Sequence, residues 1–259
     1  MEITTSVSVQ RLSEAMPAEA EDLVVRESAL TIFLNETELV TLLCSPSDWR
    51  YLAAGFLFSE GLLQSRDDIQ NIVVDEAHGV VRVNVAAAPE AQAVFKRFIS
   101  SGCGRGAGFY AGQDVAARSK VDSALNITPS QVYGLMSLFQ HRSDVFRATG
   151  GVHSAGLATG DEIVLFAEDI GRHNAVDKVF GQCLLEGVAT QDRILLTSGR
   201  VSSEIVLKVA RRSVPCLISR SAPTDLGVRM ANELGITLIG FVRGHRMNVY
   251  SHPERLSYD

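Results

Sequence analysis

The chain has 259 residues and a mass of 28.0 kDa, long enough for one large domain or two small ones, and its 46% hydrophobic content is enough to fill a core. Charged residues make up 21% and the formal net charge is -6, which excludes nucleic-acid binding by bulk attraction and requires any anionic ligand to meet a local basic cluster. Acids interrupt the N-terminal stretch where a signal core would lie, and nothing approaches the ~18 apolar residues of a membrane span, so a cytoplasmic protein without a membrane segment is expected.

Residues 1–22 lack strong periodicity and are expected to form a loosely held arm. Residues 29–34 and 39–44, separated by Asn35-Glu36-Thr37-Glu38, have the pattern of paired strands. A helix follows: Ser47 or Asp48 can cap it, Leu52, Phe56 and Leu57 supply its apolar face, and Gly61 can close it. Residues 72–74 and 80–83, around His78-Gly79, suggest a hairpin, with a short helical stretch at residues 89–98. Next comes Ser100-Ser101-Gly102-Cys103-Gly104-Arg105-Gly106-Ala107-Gly108-Phe109, a loop whose glycines take positive φ angles freely.

Thr128-Pro129-Ser130-Gln131 has the form of a capping box with proline at the first helical position. Beyond Gly150 the pattern alternates. Strands are expected at 153–158, 162–167, 194–197, 214–219 and 236–242, helices at 173–185, 203–212 and from a Thr224 cap to Gly235, and a last extended run at 247–250. This predicts an α/β subdomain over residues 126–259 and a smaller α+β subdomain over residues 23–118, the latter ending in the Cys103 loop.

In open α/β sheets ligands sit beyond the carboxyl ends of the strands. Four such places combine a small or hydroxyl residue with a cation: residues 168–174 with Arg172 and His173, Ser198-Gly199-Arg200, Arg220-Ser221-Ala222-Pro223-Thr224, and Arg243-Gly244-His245-Arg246. Such loops suit phosphate oxygens. His153, in Gly150-Gly151-Val152-His153-Ser154-Ala155 at the entry to this half, is either a hydrogen-bonded turn residue or the counterpart of the histidine in a zinc deaminase H-x-E motif. Ala155 stands where a zinc deaminase places its general acid/base Glu, and Pro215-Cys216 is followed by no second cysteine, so no zinc and no deamination are expected. The four cysteines are dispersed without zinc-ligand spacing. Cys44, Cys183 and Cys216 lie in apolar runs, whereas Cys103 lies among glycines beside Arg105.

Ser101-Gly102-Cys103-Gly104, Gly150-Gly151-Val152-His153, the stretch from Glu168 to Lys178, Thr197-Ser198-Gly199-Arg200, Ser221-Ala222-Pro223-Thr224 and Asn248-Val249-Tyr250-Ser251-His252-Pro253 together resemble the FdhD family of formate dehydrogenase accessory proteins. Gly55-Phe56-Leu57-Phe58-Ser59-Glu60-Gly61 extends the resemblance toward the N-terminus, so it runs from about Val24 to Leu256. It implies a cytidine-deaminase-like α/β core without its zinc site and a homodimer. The implied activity is that of a sulfurtransferase, passing persulfide sulfur from a cysteine desulfurase to a bis(molybdopterin guanine dinucleotide) cofactor of molybdenum or tungsten for formate dehydrogenase. The persulfide-bearing cysteine of the family matches Cys103, and its cofactor-contacting stretch matches Phe241, Val242, Arg243, Gly244, His245 and Arg246. Guanine nucleotide is the expected surrogate ligand.

One departure matters. Many relatives carry C-G-x-C-G, whereas here Gly106 replaces the second cysteine, so a two-thiol relay within this loop is excluded and a one-cysteine carrier is not. Two rivals remain at this stage: a non-catalytic chaperone that holds and inserts the cofactor, and a metal-free nucleotide enzyme on the same scaffold.

Overall fold

Residues 4–11 and 18–25, expected to belong largely to a loose arm, form the first two strands, β1 (Thr4–Arg11) and β2 (Ala18–Val25), of a computed structural model that describes residues 2–12, 16–86 and 120–258. The expected helix at 89–98 and the Cys103 loop lie outside the described residues. The ribbon is a correction to the arm: its antiparallel ladder runs from Thr4 opposite Val25 to Arg11 opposite Ala18. Its register is supported by polar cross-strand contacts, since Ser6 and Ser8 donate to the Glu21 carboxylate at 2.6 and 2.7 Å. Both strands are largely exposed, and only Val7 and Val9 of β1 alternate with polar neighbours, a run too short to announce the pair.

Four more strands, β3 (Ser28–Leu34), β4 (Thr37–Cys44), β5 (Ile69–Asp75) and β6 (Val80–Val85), form a sheet in the order β4-β3-β6-β5. Alternate residues Leu30, Ile32 and Leu34 on β3 and Val81, Val83 and Val85 on β6 are buried together. They meet α1 (Trp49–Glu60), whose Leu52, Phe56 and Leu57 face the same core. Gly61, at φ 78°, ends this helix as expected. At its start Asp48, one of the two expected caps, takes the cap position in the left-handed region at φ 56°, and its side chain makes no capping hydrogen bond.

The remaining strands are β7 (His153–Thr159), β8 (Glu162–Asp169), β9 (Ile194–Thr197), β10 (Cys216–Ser219), β11 (Thr237–Arg243) and β12 (Arg246–Ser251). They form a mixed six-stranded sheet ordered β12-β11-β10-β9-β7-β8. Every residue of β9 and β10 is buried, as strands covered on both faces require. One face is covered by α2 (Pro129–His141), through Val132, Leu135, Met136 and Phe139. The short α3 (Asp144–Thr149) follows it. The other face is covered by α4 (Arg172–Glu186), α5 (Ser203–Arg211) and α6 (Asp225–Leu234), through Val176, Val179, Phe180, Ile205, Leu207, Met230 and Leu234. The capping box at Thr128 and Gln131 and the Thr224 cap of α6 both form.

The two sheets are joined through helices. A β-carbon placed on Gly55 of α1 would fall 1.7 Å from the Asp177 carbonyl oxygen, and one on Gly181 of α4 would fall 1.9 Å from that of Tyr51, so α1 and α4 touch backbone to backbone. Beside this crossing Lys208 Nζ lies 2.7 Å from Asp177 and 3.5 Å from Glu60, and Arg211 lies 3.6 Å from Glu60. All four side chains are largely buried, and they fasten α1, α4 and α5 together.

Candidate functional site

Strands β9, β10 and β11 are parallel, and β8 runs in the same sense because β7 is antiparallel to both β8 and β9. Their carboxyl ends therefore share one sheet edge, where β7 also begins, at His153. The four polar segments singled out in the sequence emerge there. Backbone hydrogen bonds knit them: Val201 donates to Ala222 at 3.0 Å, Thr224 to Val201 at 2.9 Å and Phe241 to Ser221 at 3.1 Å. The Ser219 hydroxyl donates to the Gly199 carbonyl at 2.8 Å, and Ser198 Oγ accepts from the Ser154 amide at 2.9 Å.

Arg172 is the first residue of α4, and its stem lies against Gly199, where an added β-carbon would fall 2.8 Å from Arg172 Cβ. Its Nε is screened from solvent and finds no hydrogen-bond partner among the described residues. His153 is half-buried with Nδ1 3.3 Å from Ser198 Oγ. Burial, then the nearby Arg172 and Arg200 cations, hold its pKa below the ordinary imidazole value. His173 Nε2 lies 3.4 Å from Ser202 Oγ and 3.5 Å from Glu204 Oε2. Burial, then the Lys208, Arg172 and His153 charges, push its pKa down to about 3, so at neutral pH its approach to Glu204 is not an ion pair.

The stretch from Glu168 to Lys178 divides in two. Asp169 is fully buried at the end of β8, where it pairs with Lys178 and accepts from the amides of Ser45 and Gly171 at 3.1 and 2.9 Å and from Asn174 Nδ2 at 2.8 Å. Asn174 also donates to the Leu43 carbonyl at 2.8 Å. Asp169, Asn174, Asp177 and Lys178 thus bind the two halves together, and Arg172 and His173 are the members left at the edge.

The stretch 241–246 builds a separate feature. A register shift between Gly240 and Arg243 bulges β11, and Phe241 sits there in the left-handed region at φ 53° with 40% of its surface exposed. Arg243, Gly244, His245 and Arg246 are exposed, whereas the side chain of Val242 is in the core. Phe241, Arg243, His245 and Arg246 line an open groove of about 610 Å³ together with Tyr133, Met247 and Asn248. The Arg243 guanidinium lies 5.9 Å from the Phe241 ring centroid, and Tyr133 meets His245 edge-on at 5.3 Å. Tyr133 comes from α2, and no local signal in the sequence marks it. Thr224 is at the same edge, with its hydroxyl accepting from the Gly227 amide at 3.1 Å as the α6 cap; Ser221 reaches Phe241 through its carbonyl.

Cys44, Cys183 and Cys216 are buried, and burial pushes each thiol up to about 12. Cys103 lies outside the described residues. Among the described residues no three His, Cys, Asp or Glu side chains are grouped to hold a metal ion, and no helix is long and apolar enough to cross a membrane.

The model of the FdhD/NarQ family matches residues 25–257. A sulfur carrier protein FdhD from Bacillus subtilis is 43% identical over 257 residues, covering 98% of each chain, and one from Listeria innocua is 41% identical over 261 residues, covering 99% of this chain and 100% of the relative. A crystal structure from Desulfotalea psychrophila, of a protein described as a formate dehydrogenase accessory protein, superposes with a TM-score of 0.82 at 27% identity over 99% of this chain and 100% of that one.

Proposed function

Because this chain belongs to the FdhD/NarQ family, we propose that it is a sulfur carrier in which Cys103 holds the sulfur as a persulfide. The observation that carries the assignment is the state of the other three cysteines, each buried and each with its thiol raised to about 12. A thiolate is the nucleophile in persulfide exchange, and burial disfavours it at all three. Cys103 is the remaining cysteine of the four, two residues before Arg105 in the sequence, a cation of the kind that favours a thiolate.

In this reading the Cys103 thiolate attacks the sulfane sulfur of a cysteine desulfurase persulfide. A new S–S bond forms on Cys103, the old one breaks, and the desulfurase cysteine leaves as thiolate, so the exchange needs no outside oxidant or reductant. In the second half the S–S bond of the persulfide breaks with Cys103 leaving as thiolate. The terminal sulfur passes to a reduced molybdenum or tungsten of a bis(molybdopterin guanine dinucleotide) cofactor, carried as substrate on behalf of formate dehydrogenase, and the metal supplies the two electrons that make the sulfur sulfide. Support for the second half comes from the cationic edge. The groove at Phe241, Arg243, His245 and Arg246 has the aromatic and charged groups that suit a guanine nucleotide, and Arg172, His173, Ser198, Arg200, Ser221 and Thr224 lie along the same sheet edge. A cytidine-deaminase-like origin of the α/β half, a homodimer and a cytoplasmic location belong to the same proposal.

Intact-mass measurement after incubation with a cysteine desulfurase and cysteine tests the carrier. The native protein should gain one sulfur and Cys103→Ser none. A Cys103→Ser protein that still gains sulfur, or still activates formate dehydrogenase, overturns it and leaves the cofactor-inserting chaperone.

A further inference from the structure

The groove at 241–246 does not account for the other end of the cationic edge, where side chains from three elements meet around Ser198 and Gly199. Arg172 opens α4, Arg200 follows β9, and His153 opens β7 with its ring 3.3 Å from Ser198 Oγ. Arg172 packs against Gly199, and its Nε is shielded from water without an acceptor among the described residues. A guanidinium N–H left without a partner in such a place is costly unless an anion completes it. Among the described residues, two acids face the cluster: Asp169, which acts on His153 but is paired with Lys178 at 2.8 Å, and Glu204, 3.5 Å from His173. Lys208 is engaged by Asp177 at 2.7 Å, so Arg172 and Arg200 are the cations left to the cluster.

Backbone donors add to the side chains. The helices that start beside the cluster, α4 after Gly171 and α5 after Ser202, have no side-chain cap, in contrast to α2, α3 and α6, whose caps Thr128, Ser143 and Thr224 accept from the first turn. Their first N–H groups and positive dipole ends therefore remain to serve an anion. The Ser198 hydroxyl accepts from the Ser154 amide at 2.9 Å and lies 3.3 Å from His153 Nδ1, and with the ring hydrogen on that nitrogen the hydroxyl proton is left to donate.

We propose that Arg172, Arg200, His153 and Ser198 form a phosphoryl-oxyanion subsite, separate from the guanine groove, with His153 as a direct contact. This deepens the reading of the edge as a nucleotide site and rests on it for the identity of the larger ligand. The shared chemistry is a diphosphate, either the one borne by a guanine nucleotide or a free one. His153 contributes a neutral donor while the cluster is empty, and an anion drawn close to it favours the protonated ring.

Calorimetry on the full chain with inorganic pyrophosphate, guanosine and GDP tests this. Arg172→Gln and Arg200→Gln should each weaken pyrophosphate about tenfold or more, as loss of a charge-assisted hydrogen bond implies, while guanosine is unaffected. Arg200 is exposed, so its replacement carries little folding risk. Arg172→Lys should fall between Arg172→Gln and the native protein, and Arg243→Gln should leave pyrophosphate unchanged. His153→Gln should change the number of protons exchanged on pyrophosphate binding, measured in two buffers of different ionisation heat, by the share the ring takes up, with the ligand's own proton exchange common to both proteins. Competition between pyrophosphate and GDP identifies the nucleotide's own diphosphate as the occupant; simultaneous binding identifies a free anion. The subsite is overturned if pyrophosphate fails to bind the native protein, or binds all of the Arg172, Arg200 and His153 variants as tightly as the native protein. Pyrophosphate binding without any guanine-nucleotide binding would keep the subsite and remove the nucleotide reading of the groove.

Discussion

Lys178 Nζ lies 2.8 Å from Asp169 Oδ2, and neither side chain has any exposed surface. Lys178 also donates to the Glu168 carbonyl at 2.9 Å and lies 3.3 Å from Ser47 Oγ, while Asp169 accepts from the Ser45 amide. The pair thereby clamps the loop after β4 to the start of α4. Lys178→Met should strand a buried carboxylate and cost about 3–5 kcal/mol of stability. Adding Asp169→Asn to that variant should recover part of the loss, which urea unfolding can measure. If the double variant is as unstable as the sum of its two single changes, the ion pair is not what the site depends on.

The two helical glycines Gly181 and Gly134 should respond in opposite directions to alanine. Gly181 has the Tyr51 carbonyl where a β-carbon would go, and forcing the helices apart should cost about 1–3 kcal/mol or more. Gly134, exposed on α2 with nothing near its missing β-carbon, should gain up to about 1 kcal/mol as alanine from helix propensity. Thermal melts of both variants separate close packing from propensity.

His173 sets an acid dependence. Its pKa is about 3 in the folded chain, against an ordinary value of 6.5 when unfolded. Its contribution to stability is therefore complete above the unfolded value and declines as pH falls toward 3. Between pH 7.5 and 5 the native protein should lose about 2 kcal/mol relative to His173→Gln. Unfolding free energies of the two proteins that run parallel over this range would show that the ring is not held neutral.

Thiol reactivity should divide the cysteines. With Cys44, Cys183 and Cys216 buried and each raised to about 12, iodoacetamide at mild alkaline pH should add one group to the native protein and four to the unfolded chain. Peptide mapping should place the native adduct on Cys103. Modification of any of the other three at a comparable rate would count against their exclusion from sulfur transfer.

At the groove, Arg243→Ala and Arg246→Ala should each weaken GDP binding by about 1.5–3 kcal/mol, the worth of a charge-assisted hydrogen bond. Calorimetry decides this, and unchanged affinity in both variants would move the nucleotide elsewhere on the edge.

Much of the α/β half is legible locally. The Thr128–Gln131 box, the Thr224 cap and the apolar run Ile194-Leu195-Leu196 of β9 carry their signals within a few residues. The ribbon of β1 and β2 is hard to read, because the alternation of Val7 and Val9 with Ser6 and Ser8 is too short to set it apart and β2 is acidic and largely solvated. The carbon-end placement of Arg172, Ser198, Ser221 and Arg243 follows from strand direction and could be read in advance. The division of labour inside the Glu168–Lys178 stretch could not. Charge alone does not tell an exposed cation from one buried against a partner, and the partners Ser45, Leu43 and Lys208 are distant in the chain. Tyr133 was hidden for a similar reason, since the layer on the opposite face of the sheet brings it to the groove.

The crossing of α1 and α4 has a mechanical consequence. With carbonyl oxygens seated against Gly55 and Gly181 there is no side-chain layer to shear, and the buried Glu60, Asp177, Lys208 and Arg211 lock the adjacent turns. The four-stranded sheet should therefore tumble in solution with the six-stranded one. Amide spins in β3 and in β10 should report a single rotational correlation time, and ligand at the cationic edge should leave their residual dipolar couplings described by one common alignment.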